Sequence, residues 1–61
     1  MKKLTIYTTA MNAFEFEVPA EVAEKVVETF KSGNNFEMVD GIEKRTTVFA
    51  NAHVVAIEVE G

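Results

Sequence analysis

The sequence predicts a single α+β domain over residues 1–61, with one helix packed on one face of an antiparallel-rich sheet. Three observations predict this class. Five short segments are rich in β-branched and aromatic residues and show the period-two pattern of strands. One segment has apolar residues at helical spacing, and turn residues stand where two hairpins are expected. The expected element order is β-β-α-β-β-β.

The first two predicted strands, residues 3–9 and 13–18, form a hairpin. Directly opposed residues of a hairpin lie on one face of the sheet. The core-facing apolar residues of both strands have even numbers. They therefore share a face only if the residue numbers of each opposed pair add up to an even number, here called the pairing sum. An even sum requires a loop with an odd number of residues. We therefore expect a loop of three or five residues, in which Asn12 tolerates a left-handed backbone.

Residues 20–32 are expected to form the only helix. Pro19 precedes it, and proline is tolerated in a first helical turn because no needed N–H is lost there. Gly33 is placed to end the helix in a left-handed conformation. The stripe at three- and four-residue spacing consists of Val22, Ala23, Val26, Val27 and Phe30. Because three of these residues are β-branched valines, we expect the helix to depend on packing against the sheet.

The second half of the chain predicts three more strands, at residues 36–39, 45–49 and 53–59. The first two are joined by a turn at residues 40–44 that contains Asp-Gly. Ile42 is an apolar residue among charges in this turn. It either projects from the loop tip and anchors a partner, or folds back as a lid over the edge of the core.

Period-two geometry assigns the strand residues to two faces. The face under the helix is expected to carry Leu4, Ile6, Phe14, Phe16, Val18, Phe36, Met38, Val48, Val55, Ile57 and Val59. The opposite face then carries the apolar residues Tyr7, Val39, Phe49, Val54 and Ala56. This is more apolar surface than a solvated sheet usually shows. Together with Ile42, these residues are the candidate interface.

The composition also points to self-association. For a chain of this size, apolar burial and the entropic cost of ordering each come to roughly 90 kcal/mol, so they nearly cancel. Small domains escape this with disulfides, a metal or a partner subunit. The chain has no cysteine and one histidine, which leaves a partner subunit as the available remedy, most simply a homodimer.

The charge balance and the absence of motifs argue against several functions. Six basic residues stand against ten acidic ones, whereas binding to nucleic acid needs a concentrated positive field. No phosphate-binding loop, zinc motif or calcium loop is present. His53 has no evident activated nucleophile nearby in sequence and is interpreted as a polar residue at a strand start. We therefore predict no enzyme, no cofactor and no metal.

Glutamates alternate along the second and fifth strands at Glu15, Glu17, Glu58 and Glu60, where they can gather on one surface. Paired carboxylates can perform acid–base catalysis or bind a hard cation, but both roles need a cleft or a ligand-gathering loop. The alternative is a solvated strand face whose charges discourage edge pairing.

Two functions are carried forward from the sequence. The first is a non-enzymatic protein-interaction or regulatory module that self-associates through a sheet face or an edge strand and binds an unknown protein. The second is an acidic, phage-encoded inhibitor that docks on a basic surface of a host enzyme or defence protein. The sequence has no apolar run long enough for a membrane span or an export signal, so a cytoplasmic location is expected.

Overall fold

A computed structural model describes residues 1–39 and 44–61. The elements in chain order are β1 (Lys2–Thr8), β2 (Ala13–Val18), α1 (Ala20–Lys31), β3 (Phe36–Val39), β4 (Thr46–Phe49), a turn of 3₁₀ helix (Asn51–His53) and β5 (Val54–Glu60). The predicted α+β class and the β-β-α-β-β-β order are confirmed. The five strands and α1 each begin and end within one residue of their expected positions, whereas the 3₁₀ turn that contains His53 was not expected.

The strands of the described residues divide between two antiparallel sheets. In the larger sheet β1 is central, with β2 on one side and β5 on the other. β3 and β4 pair only with each other and form a separate two-stranded sheet. The sequence pattern does not specify this division, because a strand shows the same period of two whichever sheet it joins.

The β1–β2 hairpin has the register that the sequence predicts. Leu4 lies opposite Phe16 and Ile6 lies opposite Phe14, so the pairing sum is even. The loop closes with a hydrogen bond from the Thr8 N–H to the Asn12 carbonyl, 3.0 Å from nitrogen to oxygen. The left-handed residue in this loop is Met11, at φ 64°, and not Asn12.

Helix α1 packs on the inner face of the three-stranded sheet, where Ala23 and Val26 join the same buried cluster as Leu4 and Ile6. Its C-terminus ends as predicted, because Gly33 adopts φ 82°. The Gly33 N–H donates to the Phe30 carbonyl and the Asn34 N–H donates to the Thr29 carbonyl. This pattern satisfies carbonyls that have no partner within the helix.

The β3–β4 hairpin covers the part of the inner face that α1 leaves open. Its Phe49 ring lies 5.3 Å from Phe14 and 6.3 Å from Phe16, both in edge-to-face geometry, and 5.3 Å from a stacked Phe36. Helix and hairpin therefore bury one common core, with one aromatic ring joining the two sheets. The buried members of this core are Leu4, Ile6, Val18, Ala23, Val26, Phe36, Met38, Phe49 and Val54.

The expected face assignment is wrong in β4. Phe36 pairs with Phe49 and Met38 pairs with Thr47, so the pairing sum in this hairpin is odd. Phe49 therefore faces the core and is only 5% exposed, whereas Val48 points outward and is 67% exposed. The expectation had placed these two neighbours on the opposite faces.

The face assignment is also wrong at the start of β5, because a β-bulge interrupts the alternation. Tyr7 pairs with Ala56, but Thr8 pairs with Val54, which leaves Val55 as an extra residue. Val54 consequently lies on the inner face, although it stands three positions before Ile57 on the same face. Val54 is 8% exposed and Val55 is 63% exposed, the reverse of what was expected.

Asn51 ties the β4–β5 connection to the end of α1. Its backbone N–H donates to the Asn35 Oδ1 at 2.9 Å. Its Nδ2 donates to the Phe30 carbonyl at 2.9 Å and to the Asn34 carbonyl at 3.4 Å. One side chain thus joins the turn after the helix to the segment that leads into β5.

Candidate functional site

The outer face of the three-stranded sheet, which turns away from α1, is the candidate functional surface. The register places its side chains in three rows across β2, β1 and β5. The rows are Glu17, Lys3 and Glu60, then Glu15, Thr5 and Glu58, then Ala13, Tyr7 and Ala56. A flat surface of nine side chains results, with acids on both edge strands and β1 between them.

The four glutamates of the predicted acidic patch therefore share this outer face. They flank β1 with two carboxylates on each side, and all four are exposed. Lys3 is the only basic residue in the three rows, and its Nζ lies 3.3 Å from the Glu15 Oε1. Such an exposed ion pair contributes less than about 1 kcal/mol to stability. Four carboxylates against one ammonium group give the face a formal charge of −3, so negative charge dominates it.

Tyr7 reports the electrostatic potential of the outer face. The negative charge of Glu58 is the largest cause that raises the pKa of Tyr7 above its usual 10.0, followed by desolvation and by a hydrogen bond from the phenol to the Glu58 carboxylate. The charges of Glu15 and Glu60 raise this pKa further. The phenol thus senses carboxylates on both edge strands, so their fields act together across β1.

The predicted apolar interface does not form one surface. Tyr7 and Ala56 are neighbours on the outer face. Val39 is exposed on the separate β3–β4 sheet. Phe49 and Val54 are core residues, so placing them on an exposed face was wrong.

The remaining interface candidate is Ile42, which lies outside the described residues. Its two interpretations, a loop-tip anchor or a lid over the core edge, stay predictions.

His53 lies beside an apolar hollow. Its Nδ1 is 3.4 Å from the Thr9 Oγ1, and its carbonyl accepts the Thr9 N–H. The hollow, about 380 Å³ in volume, has Phe14 and Phe49 among its lining residues. Within residues 1–39 and 44–61, no three acidic or histidine side chains are grouped as ligands for a metal ion.

The sequence placed Thr5 on this face, which the register confirms, but it did not identify Lys3 as part of the surface. Both residues occupy its centre because β1 pairs with a glutamate-bearing strand on each side. The available signal was the alternation of glutamates along β2 and β5, which puts each glutamate pair on one face of its strand. Once β1 is known to lie between these two strands, the residues paired with the glutamates belong to the same face.

Comparison with protein-family models, with curated proteins and with solved structures finds no match for this chain. The one helix seen in the described part of the chain, α1, is too short and too polar to cross a membrane.

Proposed function

We propose that this protein is a non-enzymatic interaction module that binds a basic surface of another protein through the outer face of its three-stranded sheet. The observation that carries the proposal is the row arrangement, in which four carboxylates surround one ammonium group on a single exposed face. Complementary charge steers association and selects partners. A regulatory or inhibitory role follows if the covered surface belongs to an enzyme.

The chemistry of the face favours one class of target. An enzyme that handles nucleic acid exposes a positive surface for phosphates, because neutralising those charges supplies much of its affinity. A sheet face carrying regularly spaced carboxylates competes for the same surface. Inhibition of a nuclease or of a defence enzyme, as by a phage-encoded inhibitor, is the form of this proposal that we favour.

Self-association through the outer face has less support. Two of the apolar residues that suggested it, Phe49 and Val54, are buried in the core. A second copy docked on this face would also bring the glutamates of both copies together, and like charges in an interface cost several kcal/mol.

The test compares two charge reversals of equal size. Glu15→Lys with Glu58→Lys alters the outer face, whereas Glu21→Lys with Glu37→Lys alters exposed acids on α1 and β3. A protein captured from the native host is purified, and its affinity for each variant is measured by calorimetry at low and high salt. Circular dichroism verifies that every variant is folded.

We expect the outer-face reversal to weaken binding by about fourfold to several hundredfold, since it removes two attractive contacts and adds two repulsive ones of about 0.2–1 kcal/mol each. The control reversal should change affinity by less than threefold, and wild-type affinity should fall with added salt. Equal losses in the two double variants, or binding that is insensitive to salt, would contradict the proposal.

A further inference from the structure

The outer edge of β5 has no partner strand among residues 1–39 and 44–61. The hydrogen bonds of β1 show which β5 residues turn their backbone toward this edge. The Thr8 N–H donates toward the β2 side, to Asn12, and the Thr9 N–H donates toward the β5 side, to His53. Successive residues of a strand alternate in this way. Odd-numbered residues of β1 therefore bond to β5.

The partners of those odd-numbered residues on β5 are Ala56, Glu58 and Glu60. These three residues direct their backbone groups toward β1. Ile57 and Val59, which stand between them, direct their N–H and C=O groups to the open edge. This edge is therefore a row of backbone donors and acceptors that another strand can complete.

The two sides of this edge differ in chemistry. On the outer side stand the carboxylates of Glu58 and Glu60. On the inner side a groove of about 340 Å³ runs between α1 and β5, and Ala23, Val27 and the exposed Val59 give it apolar walls.

The helical rim of the same groove also carries acids, since Glu24 and Glu28 are among its lining residues. Lys2 closes one end, and its Nζ donates to the Gly61 carbonyl. An extended strand has a period of two, so one set of its side chains would face the outer carboxylates and the other set would enter the groove.

We propose that β5 receives an extended segment of the basic partner as a fourth strand, in which Lys or Arg alternates with apolar residues. This inference rests on the proposed function and names the form in which the partner is recognised. The basic side chains pair with Glu58 and Glu60, the apolar ones fill the groove beside Val59, and the backbone completes the ladder at Ile57 and Val59.

The opposite edge, along β2, does not offer the same site. Its inner side chains Phe14 and Phe16 already pack against the Phe49 ring of the β3–β4 hairpin, so they are occupied and do not form a free apolar wall for an added strand. A second copy of this chain fits β5 poorly, because antiparallel pairing of two β5 strands places the glutamates of both copies on one face.

The experiment uses chemically synthesised full-length protein and two labelled peptides of identical composition. One peptide alternates four lysines with three valines, and the other has the lysines and valines in two blocks. N-methylation of the Val59 amide removes one outward donor without touching the ladder to β1. N-methylation of the Glu21 amide is the matched control, because Glu21 is exposed in the first turn of α1, where backbone N–H groups have no partner within the helix. Fluorescence anisotropy measures each affinity.

We expect the alternating peptide to bind at least tenfold more tightly than the block peptide, and N-methyl-Val59 to reduce its affinity at least tenfold. N-methyl-Glu21 should change it less than twofold. Equal affinity for the two peptides, or no loss with N-methyl-Val59, would overturn the inference. So would light scattering that shows a dimer which N-methyl-Val59 dissociates, because a second copy would then occupy this edge.

The outcomes separate this inference from the proposed function. If both peptides bind equally and Glu15→Lys with Glu58→Lys weakens both, the outer face binds basic partners without strand addition. If that double reversal leaves the binding of the host partner unchanged, the proposed function itself fails.

Discussion

Phe49 should be the side chain on which the stability of this fold depends most, whereas its neighbour Val48 should be nearly dispensable. The two residues are adjacent in β4 but face opposite ways, since Phe49 is 5% exposed and Val48 is 67% exposed. Substituting each in turn tests the register of the β3–β4 hairpin, which turns Phe49 toward the core and Val48 toward solvent. The informative set is Phe49→Ala, the milder Phe49→Leu, and Val48→Thr as the control that keeps a β-branched residue in the strand.

The magnitudes follow from what each side chain contacts. Truncation of a buried phenylalanine to alanine costs about 3–5 kcal/mol, and each aromatic pair accounts for about 0.5–1.5 kcal/mol of that loss. Phe49 makes three such pairs, with Phe14, Phe16 and Phe36. A domain of this size has a free energy of unfolding of about 3–9 kcal/mol. Phe49→Ala should therefore remove about a third or more of the free energy of unfolding at 25 °C.

The milder variants give measurable differences. Phe49→Leu should lower the free energy of unfolding by about 1.5 kcal/mol or more, because the apolar volume is largely kept while three ring pairs of about 0.5–1.5 kcal/mol each are lost. Val48→Thr should change it by less than about 0.5 kcal/mol. Urea titrations followed by far-ultraviolet circular dichroism measure both. The reasoning would be refuted if Val48→Thr were as destabilising as Phe49→Leu, or if Phe49→Ala kept the wild-type midpoint.

Three further predictions concern single positions. Absorbance titration of Tyr7, the only tyrosine, should give a pKa above 10, and Glu58→Gln should lower it toward 10. The pKa of Tyr7 is higher in the folded state than in the unfolded state. The contribution of Tyr7 to the free energy of unfolding is therefore complete below pH 10 and is lost as the pH rises through the folded-state pKa. An unchanged Tyr7 pKa in Glu58→Gln would contradict this prediction. Gly33→Ala should lower the free energy of unfolding by about 1 kcal/mol, since only the backbone at φ 82° resists a side chain there. Met11→Gly should raise the free energy of unfolding by up to about 1 kcal/mol, because Met11 is at φ 64° and its side chain is 96% exposed. Urea midpoints of Gly33→Ala and Met11→Gly that shift in the same direction would contradict these two predictions.

The sequence predicted strand faces correctly wherever apolar and charged residues strictly alternate. In the segment from Phe14 to Glu17 only one parity buries both rings, so the hairpin register and the outward position of the glutamates followed directly. The same reasoning applied to Glu58 and Glu60 on β5. At such positions one face is far more costly to bury than the other, which leaves a single solution.

Prediction failed where two apolar residues are adjacent. Val48 precedes Phe49, and Val54 precedes Val55, so a period of two cannot decide which member of each pair faces inward. In β4 the decision comes from the register with β3, and in β5 it comes from the bulge opposite Tyr7 and Thr8. Both are set by contacts between segments distant in sequence, which a local pattern does not contain. The interface predicted from Phe49 and Val54 failed for this reason.

The separation of the two sheets has a consequence for how the molecule opens. β1 has a hydrogen-bonded strand on each side, whereas the four-residue ladder of β3 and β4 shares no backbone bond with β1, β2 or β5 in the described chain. The hairpin is held by the Phe49 ring cluster and by the adjacent Asn51 bonds to the helix end. We therefore expect the hairpin to separate from the larger sheet at a lower free energy than complete unfolding requires. Amide hydrogens of β3 and β4 should exchange with solvent through this partial opening, whereas those of β1 should exchange only when the whole domain unfolds.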